Sequence, residues 1–233
     1  MKILALIPAR GGSKRIPKKN IKDFLGKPII SYSIEAALKS KIFDEVMVST
    51  DDNDIANISK KYGAVIPFTR SSKNSDDFST TADVILEVID NYKEIGKQFD
   101  YICCIYPTAP FLNDKKIIKA FQKLIGSQAI SIVPIVKFSY PILRSFKLEN
   151  DFITMNWPEY INSRSQDLPD SFHDAGQFYF FKTEDFVKNK KIFTDKTLGL
   201  EVPETEVQDI DNLDDWRIAE IKYKFILEAN KLD

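Results

Sequence analysis

"ILALIPARGGSKRIPKKN" (residues 3–20) sets an unbroken apolar run against a loop that carries five cations. Residues 3–7 show no polar alternation, which suits a strand buried on both faces, as in a parallel sheet. Behind them come Arg10, Lys14, Arg15, Lys18 and Lys19, threaded with Gly11, Gly12 and Pro17. In open α/β sheets ligands sit at the carboxyl ends of strands, and this loop leaves such an end. Gly11 and Gly12 let backbone amides approach a ligand, Ser13 completes the turn, and the cations suit a polyanion such as a triphosphate. Neither GxxxxGK[ST] nor GxGxxG is present. A solvated basic loop is the competing reading, because most of the 33 cations are lysines. Arginine is scarcer and grips phosphate through a planar fork, and Arg10 stands where the first strand ends.

Outward from this loop, strand and helix signals alternate. Apolar runs predict strands at residues 45–49, 64–68, 101–106 and 129–136. Helical spacing predicts helices at 28–39, 53–62, 80–92 and 113–125, with Thr80 or Thr81 capping the third and Gly63 closing the second. The repeat implies βαβ units, hence an α/β, Rossmann-like, mostly parallel sheet flanked by helices. From 138 to 175 the period breaks amid Pro141, Pro158, Pro169 and scattered aromatics, which reads as an irregular inserted arm rather than a second domain. A strand at 176–181, another at 207–210 and a helix at 212–228 close the chain. The reading is one domain over residues 1–233.

Composition narrows the function. A formal net charge of −1 makes the basic loop a local feature and argues against nucleic acid as a partner. Cys103 and Cys104 are adjacent and cannot staple distant segments, so a reducing, cytoplasmic setting is expected. The amino-terminal apolar run is too short to span a membrane. His173 is the only histidine, which removes a multi-histidine zinc site.

The loop, together with "FDEVMVSTDD" (43–52), "YPTAPFL" (106–112), "RSQDLPDSFHDAGQFYFF" (164–181) and "QDIDNLDDW" (208–216), resembles the acylneuraminate cytidylyltransferase family, and within it the pseudaminic acid branch. The resemblance implies the nucleotide-diphospho-sugar transferase type of fold. It also implies an enzyme that joins CTP to an acidic nine-carbon sugar, releasing pyrophosphate with Mg²⁺. By the same resemblance Arg10, Lys14 and Lys19 meet the triphosphate and Asn20 reads the cytosine, while Arg70, Asp77 and Thr81 help enclose the nucleotide. The 138–175 arm is implied to reach into a second copy, making a homodimer.

Asp209 and Asp211 stand two apart, so an extended backbone turns both carboxylates to one side and Ile210 to the other. Two solvated acids before a helix are the plain reading; the family match makes them Mg²⁺ ligands, with Asp211 catalytic beside Arg10, Lys14 and Lys19. At the sugar end, the matched stretches put forward Arg164, Gln177 and Tyr179, with Arg144 as a further candidate for the carboxylate. Tyr106 departs from sialate-specific relatives, which have glutamine there. A flat phenol suits a deoxy, methyl-bearing sugar such as pseudaminic acid better than sialic acid. Legionaminic or sialic acid and a non-catalytic nucleotide-binding module stay as alternatives. The general base is not legible, and a lone His173 in a loop is usually structural.

Overall fold

The computed structural model describes residues 1–76 and 78–229. In chain order the elements are β1 (Ile3–Pro8), a small hairpin of β2 (Asp23–Phe24) and β3 (Lys27–Pro28), α1 (Ile29–Ser40), β4 (Glu45–Ser49), α2 (Asn53–Lys61) and α3 (Thr81–Glu94). There follow β5 (Tyr101–Ile105), α4 (Asp114–Ile125), β6 (Ser131–Lys137), β7 (Phe146–Glu149), β8 (Phe152–Met155) and β9 (Phe172–Asp174). The chain continues through β10 (Phe178–Lys182), α5 (Thr183–Asn189), β11 (Thr197–Glu201) and α6 (Leu213–Ala229).

The main sheet runs β11–β6–β10–β5–β1–β4, with β9 added to β6. β1 pairs in parallel with β4 and β5, and β11 in parallel with β6. β10 is antiparallel to both β5 and β6, and β9 to β6, so the sheet is mixed at the point where the chain returns from the arm.

β1 lies inside the sheet, and its alternate residues feed two cores. Ala5 and Ile7 face Ile30, Ile34, Ile117 and Phe121 from α1 and α4. Leu4 and Leu6 face Ile85, Val88 and Tyr92 from α3. All four β1 side chains are fully buried. Covering both faces is what lets a strand drop polar alternation, and each such side chain contributes about 1.5–3 kcal/mol on burial.

Two local expectations are corrected and one choice left open is settled. Residues 64–68 make one bridge, Val65 to Met47, and stop at Pro67, which has no amide hydrogen to extend a ladder. Residues 207–210 pair with no strand. The cap of α3 is Thr80, whose hydroxyl accepts from the Asp83 amide while Asp83 accepts from the Thr80 amide; Thr81 is the first helical residue.

The 138–175 stretch is less irregular than its sequence suggests. β7 and β8 form a hairpin turned by Asn150 and Asp151, both with positive φ. The register Phe146↔Met155 and Leu148↔Ile153 gathers four apolar residues on one face, and Leu148, Phe152 and Ile153 are each more than 60% exposed. Four-residue strands with both faces open carry too little pattern to be read.

Candidate active site

β4, β1 and β5 run in parallel and end at one edge, where their loops border a cleft of about 510 Å³. Its floor is the loop after β1. The Asn20 side chain is buried and donates from Nδ2 to the Arg10 carbonyl at 2.9 Å, tying the two ends of that loop. Gly11 donates its amide to Asp51 at 3.0 Å. A Cβ at position 11 would stand 2.8 Å from Oδ2 and 2.9 Å from Cβ of Asp52, the residue that caps α2. Gly11 is therefore required for room against Asp52. Gly12, with nothing near its missing Cβ, is open.

Arg10, Ser13, Lys14, Arg15 and Lys19 line the cleft. Lys18 turns away to Asp54 at 2.7 Å. Arg10 donates to the Asp76 carbonyl at 2.7 Å. Arg15, which the sequence reading counted among the cations without giving it a role, pairs with Asp211 at 2.8 Å. Lys19 is the most enclosed of these cations, donating to the Ile210 carbonyl at 2.7 Å with Asp211 at 3.9 Å. Burial pulls its ammonium below the usual lysine range, Asp211 and Asp209 hold it up, and Arg15 and Arg10 push it down further.

The acids face these cations across the cleft. Asp209 and Asp211 both line it, while Ile210 is buried beside Trp216 in α6. The alternation expected of a strand thus holds without a strand partner. Side chains do the work of a ladder: Lys19 takes the Ile210 carbonyl, Lys222 the Val207 carbonyl at 2.7 Å, and Gln177 the Glu206 carbonyl. Lys116 pairs with Glu206 at 2.6 Å. Asn212 and Asp215 then cap α6. Desolvation raises the Asp209 carboxyl above the usual aspartate range and the neighbouring Asp211 raises it again, with Lys19 opposing both.

Arg70, Thr81 and Tyr106 form the remaining wall. Arg70 is buried, and its guanidinium donates to the hydroxyl and carbonyl of Ser49 at the end of β4. Tyr106 follows β5; its amide donates to the Gln177 carbonyl at 2.9 Å and its carbonyl accepts from Ser33 at 2.7 Å.

Other candidates lie elsewhere. Gln177 is buried and does not line the cleft; its Nε2 donates to the Glu206 carbonyl, while its Oε1 has no hydrogen-bond partner among the described residues. Tyr179 is buried behind Tyr106, ring edge to ring face at 5.4 Å between centroids. Arg164 sits exposed on the arm, paired with Asp167 at 2.6 Å, and Arg144 lies near it. His173 is exposed on β9 against Phe138. Asp77 lies outside the described residues. Among the described residues no three His, Cys, Asp or Glu side chains cluster to hold a metal; the acids that line the cleft are Asp76 on one side and the Asp209–Asp211 pair on the other loop.

The cytidylyltransferase family model matches residues 4–222. The chain belongs to the cytidylyltransferase family. Over 225 residues, 96% of this chain and 97% of the relative, it is 45% identical to the pseudaminic acid cytidylyltransferase of Campylobacter jejuni. It is 31% identical to the CMP-N,N'-diacetyllegionaminic acid synthase of Legionella pneumophila, covering 94% of this chain and 95% of that one. Among solved structures, CMP:2-keto-3-deoxy-manno-octonic acid synthetase complexed with CTP superposes with a TM-score of 0.70 at 17% identity, covering 98% of this chain and 100% of that one. That last likeness speaks for the fold.

Proposed function

We propose that this cytidylyltransferase transfers the cytidylyl group of CTP to the anomeric hydroxyl of pseudaminic acid, releasing pyrophosphate. The observation that carries the reading is the joining of five cations, an acid pair and Tyr106 in one cleft, in a chain 45% identical over nearly its full length to a pseudaminic acid cytidylyltransferase. The anomeric hydroxyl loses its proton to solvent as its oxygen attacks the α-phosphorus, the bond to the bridging oxygen of the β-phosphate breaks, and the electron pair leaves with pyrophosphate. Such a transfer needs positioning and charge neutralisation rather than a covalent intermediate.

Arg10, Lys14, Arg15 and Lys19 hold the triphosphate, and their charge offsets the negative charge that builds on the leaving group. Gly12 and Ser13 present the open face of the loop. Asn20 stands at the cytosine end, enclosed with Arg70 and Thr81. The donor set fits Mg²⁺, which takes one or two carboxylates and fills its remaining positions with water and phosphate oxygens. Asp209 and Asp211 would hold it, and a bound Mg²⁺ supplies Lewis-acid polarisation of the phosphates. Arg15 and Lys19, which pair with Asp211 at 2.8 and 3.9 Å, would be released toward phosphate if a metal took that carboxylate.

The whole chain acts as one nucleotidyltransferase unit with residues 138–175 as its arm. The exposed apolar face of the β7–β8 hairpin supports a homodimer in which each arm covers part of the other copy, bringing Arg164 toward the partner's sugar. The enzyme works in the cytoplasm, where thiols such as Cys103 and Cys104 stay reduced. No helix of the described residues is long and apolar enough to cross a membrane. Legionaminic acid is the second reading, favoured by the likeness to the Legionella synthase. Incubation with CTP, Mg²⁺ and pseudaminic, legionaminic or sialic acid in turn, with pyrophosphate measured, decides among them. Release with pseudaminic acid alone is expected; release with another sugar reassigns the substrate, and CTP binding without release in any tube turns the reading toward a binding module.

A further inference from the structure

Among the described residues Tyr106 is the one aromatic residue on the cleft wall, and its backbone is fixed at both sides by Gln177 and Ser33. What remains to be set is the direction of its ring. Tyr179 meets that ring edge to face, and Phe193 packs on Tyr179 in the same manner with centroids 5.6 Å apart. An aromatic contact worth about a kcal/mol does not by itself hold a ring that must resist a passing ligand. The phenol of Tyr179, however, donates to the Oδ2 of Asp174. Asp174 is in turn held by its own turn, because Oδ1 accepts the Gly176 amide at 2.9 Å, and Gly176 has φ +61°. Burial, the Tyr106 phenol and Asp174 all raise Tyr179 above the usual tyrosine range, so its hydroxyl stays a donor at neutral pH.

We infer that Asp174 is a positioning residue for the sugar: from the end of β9 it anchors Tyr179, which holds the Tyr106 ring at the cleft wall. The inference rests on the functional reading above and deepens it, since it assigns sugar selection to a carboxylate that does not line the cleft. A hydrogen bond to a charged acceptor is worth more than a neutral one, and its loss frees two rings at once. Asn at 174 keeps an oxygen acceptor of the same reach, whereas Ala keeps none.

The test is steady-state kinetics of D174A, D174N and Y179F, varying CTP and the sugar separately. D174A is expected to raise KM for pseudaminic acid about tenfold while kcat and the KM for CTP stay within about twofold. D174N, with one oxygen acceptor where the carboxylate serves both the Tyr179 phenol and the Gly176 amide, should recover part of that loss, and the double variant D174A/Y179F should be no worse than either single one, as for groups acting in one chain. Equal losses toward CTP and sugar, or additive losses in the double variant, would mean general loosening and overturn the inference. A wild-type KM in D174A would overturn it too, leaving the function reading intact. Should the wild type transfer to no acidic sugar, the function reading falls, and the crystal structure of D174A decides the link: rings of Tyr106 and Tyr179 left in place would sink it, and displaced rings would support it.

Discussion

The two charged walls of the cleft are built in opposite ways. The cationic loop grows out of β1, a strand paired on both sides and buried on both faces. The acidic stretch 207–211 has no strand partner among the described residues; Lys19 and Lys222 fasten its Ile210 and Val207 carbonyls one at a time, and Gln177 holds the Glu206 carbonyl just before it. A backbone ladder shares its load among many bonds, so single side-chain changes in the loop should alter charge without moving the frame. Side-chain ties are separate, so cutting one should move the acids it holds. Lys19 belongs to both walls, and a change there tests both at once.

The largest effect should come from the acids themselves. Asp211→Ala is expected to lower turnover about 10³-fold or more with an unchanged melting temperature, read by pyrophosphate release across a Mg²⁺ titration. A near-normal rate would remove the acid wall from the chemistry. Next, Lys19→Met should cost more than Lys14→Met, roughly 10²-fold or more in kcat, because it removes a cation and the tie to Ile210 together. Hydrogen exchange at the Asp211 amide sharpens the point, since it should quicken in the Lys19 variant and stay unchanged in the Lys14 one.

A smaller, more selective effect is expected of Lys222→Met. Lys222 touches neither phosphate nor sugar, so CTP affinity should hold while the Mg²⁺ needed for half-maximal rate rises roughly three- to tenfold, the loss of about one hydrogen bond's worth of positioning. Equal losses for CTP and Mg²⁺ would break the comparison. The smallest effect is electrostatic. Asp209 has its carboxyl raised by desolvation and by Asp211, so the empty fold favours its protonated form. The stability from that preference is present below the unfolded aspartate pKa and is lost as pH rises through the folded one. Asp209→Asn should therefore raise the melting temperature of the ligand-free protein slightly at pH 7, by about a degree or two, as read by a thermal melt.

Legibility in the sequence followed the same division. β1 and β4, whose apolar runs are covered on both faces, were readable to within a residue, and so were α1, α2 and α4, while α3 runs two residues beyond its expected end. The 207–211 stretch was misread as a strand because alternation around Ile210 is what a strand would show. Nothing local in the sequence reveals that lysines supply the pairing from 15 to 191 residues away. The β7–β8 hairpin escaped because no core sorts its faces. Most of the cations and acids of the cleft were singled out from the basic loop and the acid pair. Arg15 received no role because its partner Asp211 lies far along the chain. The place of Asp174 behind Tyr179 depends on how β9 turns into β10, which no spacing announces.

The space that Gly11 leaves to Asp52 also constrains how this enzyme can change over generations. Any side chain at 11 collides with the Cβ of residue 52, so shortening Asp52 to alanine would not make room. Only glycine at 52 would, and that exchange forfeits the carboxylate that starts α2, at a cost of a few tenths to about 1 kcal/mol. The two positions are thus inherited as a pair. Among variants recovered from random mutagenesis of this gene, replacements at 11 should survive only in chains that have already lost the side chain at 52.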